Sequence, residues 1–359
     1  MRPTLAILLL ASAPLAAQSP VGMATRAYTD PQRQNWDGTG PRPIQTVVWY
    51  PTTSSAQPDT VWIGPPDHRL FRVGTATRNA PIAPAPMRYP LIVVSHGTGG
   101  SALQMMWLGQ TLAAHGYIVA AVNHHGNTGA EDAPTIPGFV LWWERPRDLT
   151  VLIDRLLADS TFGPRIDSAR IGAAGFSLGG YTMIEIAGGT TNWAAYRQFC
   201  KQPGSSSLCD SPPEFPTLAT DTMRIVNDPR VQAGIPHAGD SYRDPRVKAV
   251  FAIAPSMGGA FTDADLRPIH IPVAIVIGDS DVMAPLKQNA ARFAHTIPGA
   301  TLGVLHNVRH YTFIADCTTL GRQELPQICT DVPSIDRTRI HTTVADSAAH
   351  FFDRTVAGR

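Results

Sequence analysis

A serine lies at the centre of a glycine-rich turn at residues 175–180, and this turn constrains the fold more than any other segment. The six residues read Gly-Phe-Ser-Leu-Gly-Gly. An apolar run at 169–174 precedes them, and a helix-like segment, Tyr181 to Ala187, follows. Where a strand turns sharply into a helix, little space remains beside the turn, so glycine is needed there. We therefore predict a strand, a tight turn and a helix, with Ser177 exposed at the apex.

The pattern G-x-S-x-G between a strand and a helix is the nucleophile elbow of α/β-hydrolases. A glycine-rich turn can match this five-residue pattern by chance, but such a turn lacks the flanking strand and helix. A serine hydroxyl is a weak nucleophile unless a neighbouring base takes its proton. In this fold an acid and then a histidine follow the nucleophile along the chain, so we expect both after Ser177.

Apolar runs alternate with helix-like segments along most of the 359-residue chain. The predicted strands are 44–50, 91–95, 117–122, 169–174, 247–253, 273–277 and 301–305. The predicted helices are 101–115, 143–159, 181–187, 285–297 and 334–356. Continuously apolar strands that alternate with helices indicate a mostly parallel sheet covered on both faces. The fold class is therefore α/β and, with the elbow, the α/β-hydrolase fold.

Two segments depart from this alternation. Residues 53–88 are rich in Pro, Ser, Thr and Ala and are predicted to form a long loop or a decorated insertion. Residues 188–246 contain two cysteines and many turn residues, after which the strand pattern resumes. We interpret this second segment as a cap or lid insertion over the carboxyl edge of the sheet, where such folds bind ligands. The resumed strand pattern disfavours the alternative, a separate domain.

Candidate acids and bases follow the last two predicted strands. Asp279 and Asp281 come directly after the strand at 273–277, where a carboxylate can hold the imidazole in the correct tautomer. Asp279 can instead cap the next helix or stabilise the loop. His306 and His310 both follow the last strand, and His310 lies further into the loop, where it can reach over the serine. The order of residues alone leaves both choices open.

Ester hydrolysis also needs N–H donors for the developing oxyanion. One backbone donor is expected from Leu178, the residue after the serine. The second is expected from the loop after an early strand, and we assign it to Thr98 in the glycine-rich segment 95–100. A phosphate-binding loop is the alternative for this segment, but G-x-x-x-x-G-K is absent from it.

The ordered set of motifs resembles the bacterial dienelactone-hydrolase-like α/β-hydrolases, which are similar to platelet-activating-factor acetylhydrolases and to cutinase-type polyesterases. The matching pieces, which span roughly residues 20–355, are Trp49-Tyr50-Pro51, Ser95-His96-Gly97, residues 175–180, Gly278-x-x-Asp281-x-x-x-Pro285 and His310-x-x-Phe313. The resemblance implies Ser177 as nucleophile, Asp281 as acid and His310 as base. Its G-x-x-D-x-x-x-P pattern favours Asp281 over Asp279. It also implies cleavage of carboxylic esters through an acyl-enzyme, without a metal.

Two further groups of residues are candidates for a site. Met105, Met106 and Trp107, which begin the helix after the predicted oxyanion loop, are candidates for an acyl pocket, as are Trp142 and Trp143, although such residues more often fill the core. His124 and His125 follow a strand end and could ligate a metal. Because no carboxylate partner lies at a ligand-like spacing, we favour a structural role for both histidines.

Four cysteines fall into two close pairs, Cys200 with Cys209 and Cys317 with Cys329. Three connectivities are possible, and local pairing is the simplest because each pair brackets a loop rich in turn residues. These spacings do not resemble those of zinc ligands. Disulfides indicate an oxidising compartment. The second pair follows His310, where a disulfide could brace the loop.

The first residues predict export. A basic start, a short apolar core at residues 5–10 and a small-residue end near Ala17 describe a secretory signal peptide at 1–17, which leaves a hydrolase domain at 18–359. The apolar core is too short to span a bilayer. With 29 basic and 28 acidic residues, the net charge is +1, and no basic run suggests binding to nucleic acid.

We therefore expect a periplasmic or secreted serine esterase that acts on short or medium acyl esters, lipids or polyesters. A serine peptidase and an acyltransferase are alternatives on the same triad, since fold and triad do not determine the substrate. A non-catalytic binding protein of the cell envelope is a third alternative, which the intact order of serine, aspartate and histidine disfavours. No cofactor or metal is implied.

Overall fold

The computed structural model describes residues 20–203, Cys209, residues 211–216 and residues 222–359. The predicted signal peptide at 1–17 lies outside the described residues. Within them, one sheet of 11 strands forms the centre of the protein. The strands are β1 (Val21–Gln34), β2 (Pro41–Pro51), β3 (Asp59–Ile63), β4 (Phe71–Arg78), β5 (Tyr89–Ser95), β6 (Ile118–His124), β7 (Ile166–Phe176), β8 (Val247–Ile253), β9 (Val273–Gly278), β10 (Thr301–Leu305) and β11 (Asp316–Cys317).

The sheet has the order β10-β9-β8-β7-β5-β6-β2-β1-β4-β11, and β3 pairs with β4. The neighbours from β10 to β6 all run parallel. β2 then pairs antiparallel with β6, and β1 antiparallel with β2. The α/β class and the mostly parallel sheet predicted from the apolar runs are therefore confirmed.

Helices lie in the connections between the strands and follow the last one. They are α1 (Met106–Ala114), α2 (Ile136–Val140), α3 (Arg145–Ala158), α4 (Leu178–Ile186), α5 (Trp193–Phe199), α6 (Thr222–Asn227), α7 (Pro229–Gly234), α8 (Asp263–Leu266), α9 (Ala290–Thr296), α10 (Thr319–Glu324), α11 (Pro326–Cys329) and α12 (Arg337–Phe352). α3 shows why such segments become helices here. Its apolar residues recur at three- and four-residue spacing, and Leu149, Leu152, Ile153 and Leu156 are fully buried.

The sheet topology determines where a site can form. Since parallel strands present their carboxyl ends at the same edge, the loops after β5, β7, β9 and β10 all emerge together. These loops contain, in turn, the glycine-rich segment 96–102, Ser177, Asp281 and His310. Residues far apart along the chain are therefore brought to one edge by strand order alone.

Two expectations were wrong in detail, and one strand was missed. Residues 53–88 are not one long loop, because they contain β3 and β4, and β1 was not predicted. These strands carry many polar residues and lie on the antiparallel side of the sheet, so they lack the continuous apolar run that reveals a buried parallel strand. The helix expected from Ser101 begins as a 3-10 turn at Ala102–Met105, and the Ser101 side chain does not cap it.

Both local disulfides are present. Cys200 pairs with Cys209 and Cys317 with Cys329, with Cα atoms 5.7 and 5.8 Å apart. The bridges close loops of 9 and 12 residues. Each should stabilise the folded state by about 2–3 kcal/mol through the chain entropy that it removes from the unfolded state. The segment 188–246 lies between α4 and β8 and contains α5, α6 and α7.

The contact between α1 and β2 requires a glycine. An added Cβ at Gly109 would lie 2.3 Å from the ring of Trp49, which is fully buried in the core. The helix therefore lies closer to the sheet than any side chain at position 109 allows. The W-Y-P motif of β2 thus has a structural role, since its tryptophan forms the surface on which α1 packs.

We predict that Gly109→Ala destabilises the protein by about 1–3 kcal/mol, because the buried Trp49 ring must leave its position to admit the methyl group. The measurement is the free energy of unfolding in urea. Gly40→Ala is the matched control, since an added Cβ there has nothing within 4 Å. Equal stability of the two variants would show that the helix is not held at this distance by the glycine.

Candidate active site

Ser177 lies in a strained turn between β7 and α4. Its φ of 56° and ψ of −116° are a conformation that a side-chain-bearing residue rarely adopts. Three backbone hydrogen bonds hold it. The Ser177 N–H donates to the Ile253 carbonyl (2.9 Å), and the Ser177 carbonyl accepts from the N–H groups of Tyr181 (3.0 Å) and Ser256 (3.2 Å). The serine is thus fixed to both its own helix and the end of β8.

Steric constraints explain why two positions of the motif are glycine. An added Cβ at Gly179 would lie 2.0 Å from the Ser95 carbonyl oxygen, and one at Gly175 would lie 2.3 Å from the Gly179 carbonyl oxygen. Real Cβ atoms essentially never approach backbone so closely. The elbow therefore brings β5, β7 and α4 into direct backbone contact, which explains why the sequence reserves both positions for glycine.

A continuous chain of hydrogen bonds joins Ser177, His310 and Asp281. The Ser177 hydroxyl donates to Nε2 of His310 (2.9 Å), and Nδ1–H of His310 donates to Oδ2 of Asp281 (2.7 Å). The other Asp281 oxygen accepts from the N–H groups of Met283 (2.9 Å) and Ala284 (2.7 Å), which fixes the carboxylate. All three residues are at least 90 % buried. The structure thus brings together the three residues that the sequence motifs single out.

The competing pair, Asp279 and His306, also forms a hydrogen bond of 2.7 Å, between Oδ2 and Nδ1. This pair lies at the surface, since the His306 side chain is 84 % exposed. Asp279 also accepts from the Asn307 N–H, so it stabilises the turn after β10. The two pairs have equal bond lengths, and only their positions relative to Ser177 distinguish them.

Thr98 and Leu178 both line the cavity beside Ser177. Leu178 is the first residue of α4, where backbone N–H groups have no partner within the helix. Within the part of the chain that the structure describes, the N–H groups of Thr98 and Leu178 have no hydrogen-bond acceptor. Thr98 and Leu178 therefore bring two backbone N–H groups without an acceptor to the wall of the cavity that contains Ser177.

The cavity has a volume of about 160 Å³ and is lined by both aromatic or apolar and polar side chains. Its described lining residues are Thr98, Phe139, Trp142, Ser177, Leu178, Tyr196, Cys209, Ser211, Pro212, Glu214, Ser256, Met257, Met283, His310 and Tyr311. The Tyr311 hydroxyl donates to the Glu214 carboxylate (2.9 Å), and burial raises the pKa of Glu214. A partly buried acidic residue therefore forms part of the cavity wall, together with its partner Tyr311.

The proposed pocket residues Met105, Met106 and Trp107 are not among the described residues that line this cavity. Met105 and Met106 are fully buried in the core, and Trp107 packs against α12. Their helix runs back along the sheet, away from the edge at which the serine lies. The sequence contained no periodic signal for the true lining residues Tyr196 and Glu214, because they come from the irregular segment 188–246.

His124 and His125 have structural partners. His124 donates from Nδ1 to Asp148 (2.9 Å) and accepts at Nε2 from the Ser95 hydroxyl (2.9 Å). Burial lowers the pKa of His124 to about 3, so the ring is neutral. His125 contacts Glu131 through Nδ1 (2.8 Å). Among the described residues, no group of three or more His, Cys, Asp or Glu side chains could hold a metal ion.

Two aromatic rings hold the short helical turn at residues 310–313. Trp107 donates from Nε1 to the Phe313 carbonyl (3.0 Å), and His341 of α12 donates from Nε2 to the Thr312 carbonyl (2.9 Å). The two rings stack with their centroids 4.5 Å apart. Burial lowers the pKa of His341 to about 4, so the folded protein keeps this ring neutral. The turn that contains His310 is thus positioned by side chains from α1 and α12.

We predict that His341 makes the stability fall in acid. Below about pH 6.5 the unfolded chain binds a proton at this histidine, whereas the folded protein does so only near pH 4. The free energy of unfolding should therefore decrease as the pH falls from about 6.5 to 4, and His341 should contribute about 1.4 kcal/mol per pH unit. His341→Gln should reduce this slope in urea unfolding measured across the pH range.

Thr342→Val is the control for this measurement, because it changes the same helix at an exposed residue without removing a titratable group. It should leave the slope of stability against pH unchanged. An unaltered slope in His341→Gln would contradict the prediction.

The sequence is similar to known ester hydrolases. A family model described as platelet-activating factor acetylhydrolase, isoform II, matches residues 72–133, which include the glycine-rich loop. Cutinase est1 of Thermobifida alba is 24 % identical over 242 residues, which are 65 % of this chain and 57 % of the cutinase. Platelet-activating factor acetylhydrolase of Cavia porcellus is 30 % identical over 115 residues, which cover 24 % of this chain and 26 % of that enzyme. The chain thus spans little more than half of the cutinase.

The fold is similar to a solved structure over nearly its whole length. A ferulic acid esterase from Streptomyces cinnamoneus superposes with a TM-score of 0.63 at 22 % identity, covering 96 % of this chain and 92 % of the esterase. In the described residues, no helix combines the length and the hydropathy that a bilayer crossing needs. Together, topology and comparisons identify the chain as a protein of the α/β-hydrolase fold with sequence similarity to platelet-activating factor acetylhydrolases and cutinases.

Proposed function

We propose that this protein is a serine hydrolase of carboxylic esters. The observation that carries the proposal is the buried chain of hydrogen bonds from Ser177 through His310 to Asp281, which ends at a cavity with two free backbone N–H donors. Acyl transfer needs a nucleophile, a base, an orienting acid and an oxyanion site, and these residues can supply all four. The similarity to cutinases and platelet-activating factor acetylhydrolases supports the same chemistry.

The geometry supports a two-step reaction. The Ser177 oxygen attacks the ester carbonyl while its proton passes to Nε2 of His310, and Asp281 stabilises the resulting imidazolium. The N–H groups of Leu178 and Thr98 bind the oxyanion of the tetrahedral intermediate. His310 then gives the proton to the leaving alcohol, and an acyl-enzyme remains. Water repeats the sequence, which releases the acid and restores the Ser177 hydroxyl.

The cavity suggests a small acyl group. Its volume of about 160 Å³ lies close to that of a cavity that holds one benzene ring, about 150 Å³, and is well below the range of drug-sized sites. Aromatic walls from Phe139, Trp142, Tyr196 and Tyr311 favour a short aliphatic chain or a single ring. The solved structure with a similar fold is named a ferulic acid esterase, so esters of single-ring aromatic acids belong among the candidate substrates.

The segment 188–246 supports the proposal of a lid. It supplies five of the cavity's described lining residues, namely Tyr196, Cys209, Ser211, Pro212 and Glu214. Cys209 is bonded to Cys200 of the same segment, which ties the two parts of this wall together. The two disulfides also fit the expected periplasmic or secreted location, since such bonds persist in oxidising compartments.

The two Asp–His pairs provide a matched test of the triad. His310→Gln should lower kcat by about 10⁴-fold or more, because no base then takes the serine proton. His306→Gln removes the ring of an equally short Asp–His pair at the surface and should leave kcat within about two-fold, since it does not contact the serine. The measurement is the hydrolysis of p-nitrophenyl acetate, with the melting temperature of each variant.

Ser177→Ala should abolish both turnover and the initial burst of p-nitrophenol, since the acyl-enzyme cannot form. Full turnover in Ser177→Ala would end the assignment of the nucleophile. Comparable losses in His306→Gln and His310→Gln would contradict the choice of base.

The cavity volume also gives an expected substrate profile. On p-nitrophenyl esters of rising chain length, kcat/KM should be highest for acetate to butyrate and should fall by about ten-fold or more for octanoate and longer acids, which exceed the cavity. p-Nitrophenyl benzoate should be accepted, because its ring fits the cavity volume. Matched p-nitroanilides provide the control, since rapid cleavage of these amides would favour the peptidase alternative.

A further inference from the structure

Arg145 is a buried cation without a matching anion. It begins α3, is 2 % exposed, and donates from Nη2 to the His96 carbonyl oxygen at 2.5 Å. Its Nε and Nη1 have no hydrogen-bond partner, and no carboxylate lies within ion-pair distance among the described residues. Burial lowers the pKa of Arg145 to about 9, which reflects the loss of its water.

The other arginines of this region are paired. Arg33 and Arg42 both bind Asp148, with N–O distances of 2.7 and 2.8 Å. Arg147, two residues after Arg145, is 42 % exposed at its side chain and binds Glu144. Burial of a guanidinium without an ion pair destabilises the folded state. The ion pairs that explain Arg33, Arg42 and Arg147 therefore do not explain the arginine at position 145.

The contact of Arg145 lies at the base of the oxyanion loop. Nδ1–H of His96 donates to the Gly97 carbonyl (2.7 Å), and Nε2 of His96 accepts from the backbone N–H of His124 (3.1 Å). Further along, the Gly99 N–H donates to Asn127 (2.7 Å). Most peptide groups of this loop are therefore held by hydrogen bonds, whereas the Thr98 N–H has no acceptor in the described part of the chain.

The same carbonyl lies against the serine turn. An added Cβ at Gly179 would be 2.9 Å from the His96 carbonyl oxygen, and one at Gly97 would be 3.3 Å from Cβ of Ser177. The His96–Gly97 peptide is thus clamped between the guanidinium on one side and the elbow on the other. A small displacement of this peptide would move the Thr98 donor relative to the serine oxygen.

We propose that Arg145 is a positioning residue of the oxyanion site, which fixes the His96–Gly97 peptide and thereby the position of the Thr98 N–H donor. The inference rests on the proposed esterase function. A backbone donor that is held in place before the reaction stabilises the developing oxyanion without reorganisation.

The test compares Arg145→Met with Arg147→Met, which removes an exposed arginine from the same helix. Three quantities are measured: kcat for p-nitrophenyl acetate, inhibition by a short trifluoromethyl ketone, and inhibition by the corresponding methyl ketone. The fluorinated ketone adds to the serine and forms an oxyanion, whereas the methyl ketone reports ground-state binding.

Arg145→Met should lower kcat by about 10- to 100-fold and should weaken inhibition by the trifluoromethyl ketone by a similar factor. The upper end of this range approaches the effect of losing one oxyanion donor. Binding of the methyl ketone should change by less than about three-fold, since the ground state has no oxyanion. Arg147→Met should leave all three quantities near wild type. A fall in melting temperature with unchanged kcat and unchanged trifluoromethyl ketone affinity would show that Arg145 is only structural.

If Arg145→Met does not fold, the same three quantities are measured in Arg145→Lys to test the inference. Lysine keeps the charge but not the planar fork, so kcat and trifluoromethyl ketone affinity should fall together, by a smaller factor. Unchanged values in that variant would overturn the inference. A wild-type protein that forms no acyl-enzyme would overturn the proposed function and this inference together, whereas selective results in the Arg145 variants concern the inference alone.

Discussion

The close approach of β5, β7 and α4 at the elbow is the contact on which the rest of the site depends. Gly179 lies against the Ser95 carbonyl, and Gly175 lies against Gly179, each at a distance that excludes a Cβ. This packing brings the serine hydroxyl, the amide end of α4 and the loop after β5 to one point. In this packing Ser177 adopts a strained backbone conformation, and hydrogen bonds to β8 and α4 hold it in place.

Beneath the glycine-rich loop after β5 lies a layer of buried polar groups. Although burial by itself would raise the pKa of Asp148, Arg42 and Arg33 hold it well below its usual range. Asp148 orients His124, which in turn accepts from Ser95 at the end of β5. Such a network is stabilising only if it is fully satisfied, and it then specifies one arrangement of the loop above it. Arg145 departs from this rule, and its position points to function rather than to stability.

The two Asp–His pairs have similar hydrogen bonds but differ in their burial and in their position relative to Ser177. Asp281 with His310 and Asp279 with His306 have the same nitrogen–oxygen distance, but the first pair is buried against Ser177 and the second faces solvent. In water a hydrogen-bonded charge pair contributes little, whereas in a buried site the same pair orients and stabilises an imidazolium. The short helical turn held by Trp107 and His341 decides which histidine reaches the serine.

The α/β class, the position of the elbow and the bounds of strands such as Val247–Ile253 and Thr301–Leu305 could be predicted from the amino-acid sequence. These features are local, since a continuous apolar run or a glycine that no side chain can replace leaves its signal within a few residues. The resemblance to the family pattern G-x-x-D-x-x-x-P favoured Asp281 over Asp279 as the acid that partners the histidine. The three-dimensional structure was needed to show that Trp142 rather than Trp107 lines the cavity, that Glu214 forms part of its wall and that Arg145 contacts the loop after β5. Those contacts join residues far apart along the chain, and they depend on loop paths and burial that no local pattern records.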